Sequence, residues 1–151
     1  MADGEGRVFA VANVAGRLIE ARVRSLRTRA DVDAYAQALA DEMKKIPGAP
    51  PVLCADHRPV VIYPQVVADR LVELFVSMNT QLERVAILAA RSNATLVLQL
   101  DRLVREAAYA NRKVFHAPED AERHLAASLR PAELSRVRAF LAEWPPPGGQ
   151  R

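Results

Sequence analysis

Val52-Leu53-Cys54-Ala55-Asp56-His57-Arg58-Pro59-Val60-Val61-Ile62-Tyr63-Pro64-Gln65-Val66-Val67 is the stretch whose reading decides the fold. Val52 to Ala55 is a short apolar run directly after the Pro/Gly punctuation of Pro47-Gly48-Ala49-Pro50-Pro51, which predicts a buried central strand. Pro64 suits a first helical turn, and beyond it Val67, Leu71, Leu74, Phe75 and Met78 form one apolar stripe at helical spacing. Strand, loop and helix in that order are half of a parallel α/β unit. The crevice outside the strand's carboxyl end is where such sheets place their sites.

The same alternation recurs outward in both directions. Val85 to Ala89 is a second buried strand, and Ser92 or Asn93 caps a helix with Leu96, Val97, Leu100, Val104 and Ala107 inward. Lys113-Val114-Phe115 is a short strand. Pro118 and Pro131 open two more helices, with Ala121, Leu125 and Leu129, then Leu134, Val137, Phe140 and Leu141, inward. Upstream, Asp31 is the expected N-cap of a helix carrying Val32, Tyr35, Leu39, Met43 and Ile46. Before it, two alternating runs flank the turn Asn13-Val14-Ala15-Gly16 and predict an antiparallel hairpin. In its second strand Ile19, Ala21 and Val23 face one way and Leu18, Glu20, Arg22 and Arg24 the other. The order β-β-α-β-α-β-α-β-α-α predicts an α/β fold: an N-terminal hairpin, then a mixed, mainly parallel sheet of about five strands joined by right-handed crossovers. Residues 7–143 form the expected domain, with a frayed segment 1–6 before it and a flexible Pro/Gly tail 144–151 after it.

Composition narrows the function classes. The chain has 151 residues, 50% of them hydrophobic, enough for one domain with its own core and no staples. Cys54 is the one cysteine, which excludes an internal disulfide and fits a reducing, cytoplasmic setting. No apolar run approaches the roughly 18 residues of a membrane span, and no signal peptide is visible. A formal net charge of +3 argues against a dedicated nucleic-acid binder.

Residues Val52 to Asp56, Ala68 to Leu74, Glu83 to Leu88 and Ala94 to Leu100 resemble the STAS domain, the fold of bacterial anti-sigma-factor antagonists. Within it the chain is similar to small bacterial proteins described as SpoIIAA-like or STAS/SEC14-type. The resemblance spans about Arg7 to Phe140 and implies a regulatory, protein-interacting module, or alternatively a lipid or small-ligand binder with an apolar cavity under the Val67–Met78 helix. In the antagonists, an Asp-Ser-Ser-Gly-type helix start carries a serine that a partner kinase phosphorylates. Counting on from Asp56 puts Pro64, Gln65 and Val66 at that place, and none carries a hydroxyl. A phosphate of roughly −2 charge at a helix start is the electrostatic basis of that switch, so this chain does not run it there.

The candidate site residues follow. Pro59, Val60, Val61, Ile62, Tyr63, Gln65 and Val66 are the expected partner-binding surface: four bulky residues follow a strand in a connection that ordinarily runs over the surface. The competing reading folds Val60 and Ile62 under as core, with Tyr63 at the helix start. Asp56, Arg91, Ser92 and Asn93 lie at neighbouring strand ends and form a candidate anion site; the alternative is a plain N-cap and an Asp56–arginine pair. An Asp56-His57-Ser92 hydrolytic triad is disfavoured, because adjacent strand residues point to opposite faces and no Gly-x-Ser-x-Gly elbow exists. His57, His116, His124 and Cys54 show no metal-ligand spacing, and no cofactor motif occurs. Arg17, Arg22, Arg24, Arg27 and Arg29 make a basic run with only Glu20 against it, read as an acidic-partner stripe or a solvated hairpin that discourages edge pairing. Association of two copies through the hairpin edge or a helix face is left open.

Overall fold

Ten elements follow the order read from the sequence. The computed structural model describes residues 8–147, so segment 1–6 and the last four residues of the tail lie outside the described residues. Strands β1 (Phe9–Ala15) and β2 (Leu18–Val23) are followed by helix α1 (Arg29–Met43), then β3 (Val52–Asp56), α2 (Gln65–Met78), β4 (Arg84–Leu88), α3 (Ala94–Ala107), β5 (Arg112–Phe115), α4 (Pro118–Ala126) and α5 (Pro131–Ala142). The sheet runs β1-β2-β3-β4-β5, antiparallel for the hairpin and parallel for every other pair. The fold is α/β with a five-stranded mixed sheet, as the alternation implied.

The strand order has a consequence for the helices. From β2 onward each crossover steps to the next strand in the same direction. Right-handed crossovers that never reverse put every connecting helix on one face. Accordingly α1, α2 and α3 share one core with Ile19, Ala21, Val23, Leu53, Ala55, Val85 and Ile87. The other face would be bare, and α4 and α5 cover it, packing on Leu18, Val52, Cys54, Ala86 and Leu88. This second core is why both faces of β2 and β3 are buried. Strict alternation then sends neighbouring residues to different cores.

Two local starts differ from the sequence reading. Helix α1 begins at Arg29: Thr28 is the N-cap, accepting from Asp31 N–H, and the Asp31 carboxylate accepts from Thr28 N–H in return. Asp31 is the third helical residue of a capping box rather than the cap itself; such a cap contributes about 1 kcal/mol. Pro64 occupies the N-cap of α2 with no side-chain cap, and the helix starts at Gln65. Asn93 does cap α3, accepting from Leu96 N–H at 3.0 Å, and Pro118 and Pro131 open α4 and α5. Trp144, the first tail residue, is half-buried with the Arg24 guanidinium 5.6 Å above its ring.

Candidate functional site

At the carboxyl end of β3, Asp56 and His57 go to opposite faces. Asp56 is fully buried on the α5 side. Arg58 turns back on it, Nε 2.8 Å from Oδ1 and Nη2 3.0 Å from Oδ2, while Arg22 Nε donates to Oδ2 at 2.9 Å. The same two guanidiniums donate to the last carbonyls of α5: Arg22 to Phe140 O at 2.6 Å and Arg58 to Leu141 O at 2.8 Å. Cations at a helix C-terminus also favour its dipole. Burial pushes the Asp56 carboxyl up, but the hydrogen bonds and charges of Arg58 and then Arg22 outweigh it and hold it below its ordinary range. The pair is therefore an anchor for α5.

The expected anion site does not assemble. Asp56 is spent on Arg22 and Arg58, Arg91 and Ser92 are exposed, and Asn93 is the cap of α3. The basic run is likewise spoken for in part. Arg22 holds Asp56; Arg17 bonds Glu83 at 2.7 Å, Pro50 O and Ser128 O; and Glu20 is clamped by Arg136 at 2.7 and 2.6 Å. These partners lie before and at the end of β3, before β4, between α4 and α5, and in α5, at separations of 33 to 116 residues that local sequence does not display. Arg17 and Arg22 of the stripe are internal cross-links, whereas Arg24, Arg27 and Arg29 are exposed.

His57 goes the other way. It is 1% exposed, and its Nδ1 is 2.6 Å from the Tyr63 hydroxyl, itself 3% exposed. Burial drives the imidazole down to about 4 and the phenol well above its usual value. Both are neutral at physiological pH, and neither faces a substrate-sized space. The pair fastens the β3–α2 loop from beneath. Asn93 Nδ2 donates to Val61 O at 2.8 Å and Val60 O at 3.3 Å. Gln99 and Tyr63 exchange two bonds: Tyr63 N–H to Oε1 at 3.1 Å and Nε2 to Tyr63 O at 2.9 Å.

So pinned, the loop splits the two readings of its apolar residues. Val60 and Tyr63 are core, each 3% exposed, whereas Val61 is 76% and Ile62 46% exposed. Val66 in the first turn of α2 is 51% exposed, and Gln65 is on the surface, bonded to Asp69 at 2.7 Å. Pro59 is half-buried. The structure adds one residue that sequence reasoning missed: Leu98, 69% exposed on α3. Its signal was its place off the inward stripe Leu96–Leu100 of an otherwise regular helix. An open groove of about 420 Å³ runs between Ile62 and Gln65 on one side and Leu98, Arg102 and Arg105 on the other. Arg102 reaches Glu106 at 3.6 Å, and Arg105 makes no ion pair among the described residues.

Beneath α2, the interior space lined by Tyr35, His57, Phe75, Met78 and Arg112 is about 10 Å³. That is about one water and does not hold an acyl chain. Cys54 is fully buried, and burial raises its thiol far above reactive range. Among the described residues no cluster of His, Cys, Asp or Glu is placed to hold a metal ion, and no helix is long and apolar enough to cross a membrane.

No protein-family model matches the chain, and no curated protein matches it significantly.

Proposed function

We propose that the chain is a non-enzymatic, STAS-like regulatory module that docks a partner protein on the patch formed by Val61, Ile62, Val66 and Leu98. One observation carries this reading. The β3–α2 loop is fixed by five side-chain hydrogen bonds (His57–Tyr63, two from Asn93, two with Gln99), yet it turns Val61 and Ile62 outward. Exposed apolar side chains gathered along one groove mark a contact surface, and preorganisation lowers the ordering cost of binding. Arg102 and Arg105 at the groove's rim favour a partner with acidic residues beside its apolar anchor.

The absence of a hydroxyl at Pro64, Gln65 and Val66 makes this docking constitutive at the place where antagonists carry their phosphoserine. A buried thiol and no disulfide suit a cytoplasmic protein. The lipid-binding alternative requires a cavity, and about 10 Å³ beneath α2 argues against it.

The test is affinity capture from native lysate with wild-type protein, Ile62→Asp and Leu98→Glu as parallel baits, each checked by circular dichroism. A partner retained by wild type and lost from both folded variants supports the docking surface. A partner retained equally by all three refutes it.

A further inference from the structure

The two edges of the sheet are built differently. Edge strand β5 has four residues, begins Arg112-Lys113 and is flanked by α3 and α4. Edge strand β1 has seven residues, and no charge or proline occurs from Val8 to Gly16. Soluble proteins ordinarily blunt an edge with short strands, lysines or prolines. Here β5 follows that rule, whereas β1 carries only a bulge between Ala12 and Ala15, past its regular Phe9–Ala12 stretch.

The hydrogen-bond phase of β1 shows which groups face out. Arg24 N–H donates to Val8 O at 2.7 Å, and the register pairs Phe9 with Val23, Ala10 with Arg22, Val11 with Ala21 and Ala12 with Glu20. In an antiparallel ladder, inward bonding then falls on Val8, Ala10 and Ala12, and the N–H and C=O of Phe9, Val11 and Asn13 point away from β2. Asn13 confirms the phase, because its outward N–H is taken by Glu42 Oε1 of α1 at 2.9 Å. That carboxylate blocks one end of the edge. Phe9 and Val11 make no outward backbone bond among the described residues.

We infer that this edge pairs with the same edge of a second copy, antiparallel, about a two-fold axis at Ala10, giving one continuous sheet across a homodimer. With Ala10 opposite Ala10, Phe9 of one copy lies opposite Val11 of the other, twice. Both are outward hydrogen-bonding positions, so the two pairs exchange four N–H···O bonds and use the N–H and C=O of both Phe9 and Val11. The aromatic–β-branched cross-strand contact between Phe9 and Val11 is a stabilising pair, on the side where the Phe9 ring already packs 5.5 Å from Tyr35. On the opposite side, a groove of about 190 Å³ lies beside α5, lined by Ala10, Ala12, Glu20, Arg22, Arg24 and Glu143. The two-fold sets the Glu20–Ala12 row in line with the Val8–Arg24 row of the second copy. This interface is separate from the proposed docking patch and does not rest on it.

The test is sedimentation velocity on the full chain at roughly 10–100 µM, where a modest homodimer is populated. The expected species has twice the 16.6 kDa chain mass. Ala10→Lys and Ala10→Glu each place like charges opposite one another at an exposed residue. Each is expected to raise the dissociation constant at least about tenfold, and their equimolar mixture is expected to restore the dimer. Val11→Pro removes an outward N–H that β2 does not use, at a position where an edge strand tolerates proline, and is expected to be a folded monomer. A monomeric wild type overturns the inference, as does a dimer that survives both Val11→Pro and the like-charge variants. Like-charge variants that stay monomeric on mixing overturn the Ala10 register.

Discussion

Replacing His57 and Tyr63 together by phenylalanine removes the neutral pair beneath the loop and, with it, a defined part of the acid sensitivity. The imidazole sits at about 4 in the folded protein against 6.5 for an ordinary histidine, because burial disfavours its charged form. As pH falls below 6.5 the unfolded chain gains a proton that the folded chain refuses until about 4. Stability from this group is therefore complete above the unfolded value and is lost downward across that window. At 1.36 kcal/mol per unit the ceiling is roughly 3 kcal/mol, and roughly 2 kcal/mol of it falls between about pH 7 and about pH 5. The double variant removes both members of the hydrogen bond at once and leaves no buried partner orphaned, so its stability near pH 7 is expected within about 2 kcal/mol of wild type. Urea unfolding at both pH values reads the difference. The shared contribution of His124, whose burial also lowers it, cancels between the two proteins. Wild type should lose about 2 kcal/mol more than the variant on acidification. Equal losses would refute the account of His57 as a buried, proton-refusing anchor.

Three further outcomes follow from the packing. Asp56→Asn leaves Arg58, 11% exposed, without an anion and Arg22, 12% exposed, with only Glu143 at 3.3 Å; thermal or urea unfolding should show about 3–5 kcal/mol lost. Asp56 stabilises above the ordinary carboxylate range and loses that contribution as pH falls through its depressed folded value, so the variant's acid limb should be shallower below about pH 4. Asn93→Ala removes a helix cap and both ties to the loop, and about 1–2 kcal/mol with faster amide exchange at Val61 and Ile62 is expected. Gly16 has φ +48°, and a Cβ there would strike the Glu133 carboxylate, which accepts from Arg17 N–H at 2.7 Å; Gly16→Ala should cost about 1–3 kcal/mol in a melting experiment.

How far the sequence carried the reading depends on range. The Val52–Ala55 strand, the α2 stripe and the hairpin were legible because alternation and helical spacing are local signals. The start of α1 was legible too, in Thr28-x-x-Asp31, but Asp31 was read alone. Alternation separates Leu18, Glu20 and Arg22 from Ile19, Ala21 and Val23 but does not tell that Leu18 and Glu20 are buried under α5. Their partners, such as Arg136 for Glu20, are 116 residues away and leave no local trace. Of the loop, Pro59 to Tyr63 was singled out, but which of its apolar residues face water depended on Asn93 and Gln99 reaching across from α3.

Adjacent positions Asp56 and His57 thus hold two different things, and the separation is testable. Asp56, on one face, fixes the C-terminal end of α5 through Arg22 and Arg58. His57, on the other, fixes the β3–α2 loop through Tyr63. Because a strand sends successive side chains to opposite sides, the sheet lies between the two anchors. Hydrogen exchange by mass spectrometry should resolve them. Asp56→Asn should speed exchange in α5 near Phe140 and Leu141 with little change at Val61 and Ile62. The His57→Phe, Tyr63→Phe pair should do the reverse. If the loop loosens equally in both, the two anchors are one coupled unit, and the contact patch depends on the α5 layer as much as on its own hydrogen bonds. Independent responses would mean that the patch is set from the α3 side alone, through the same face on which the one-directional strand order collects α1, α2 and α3.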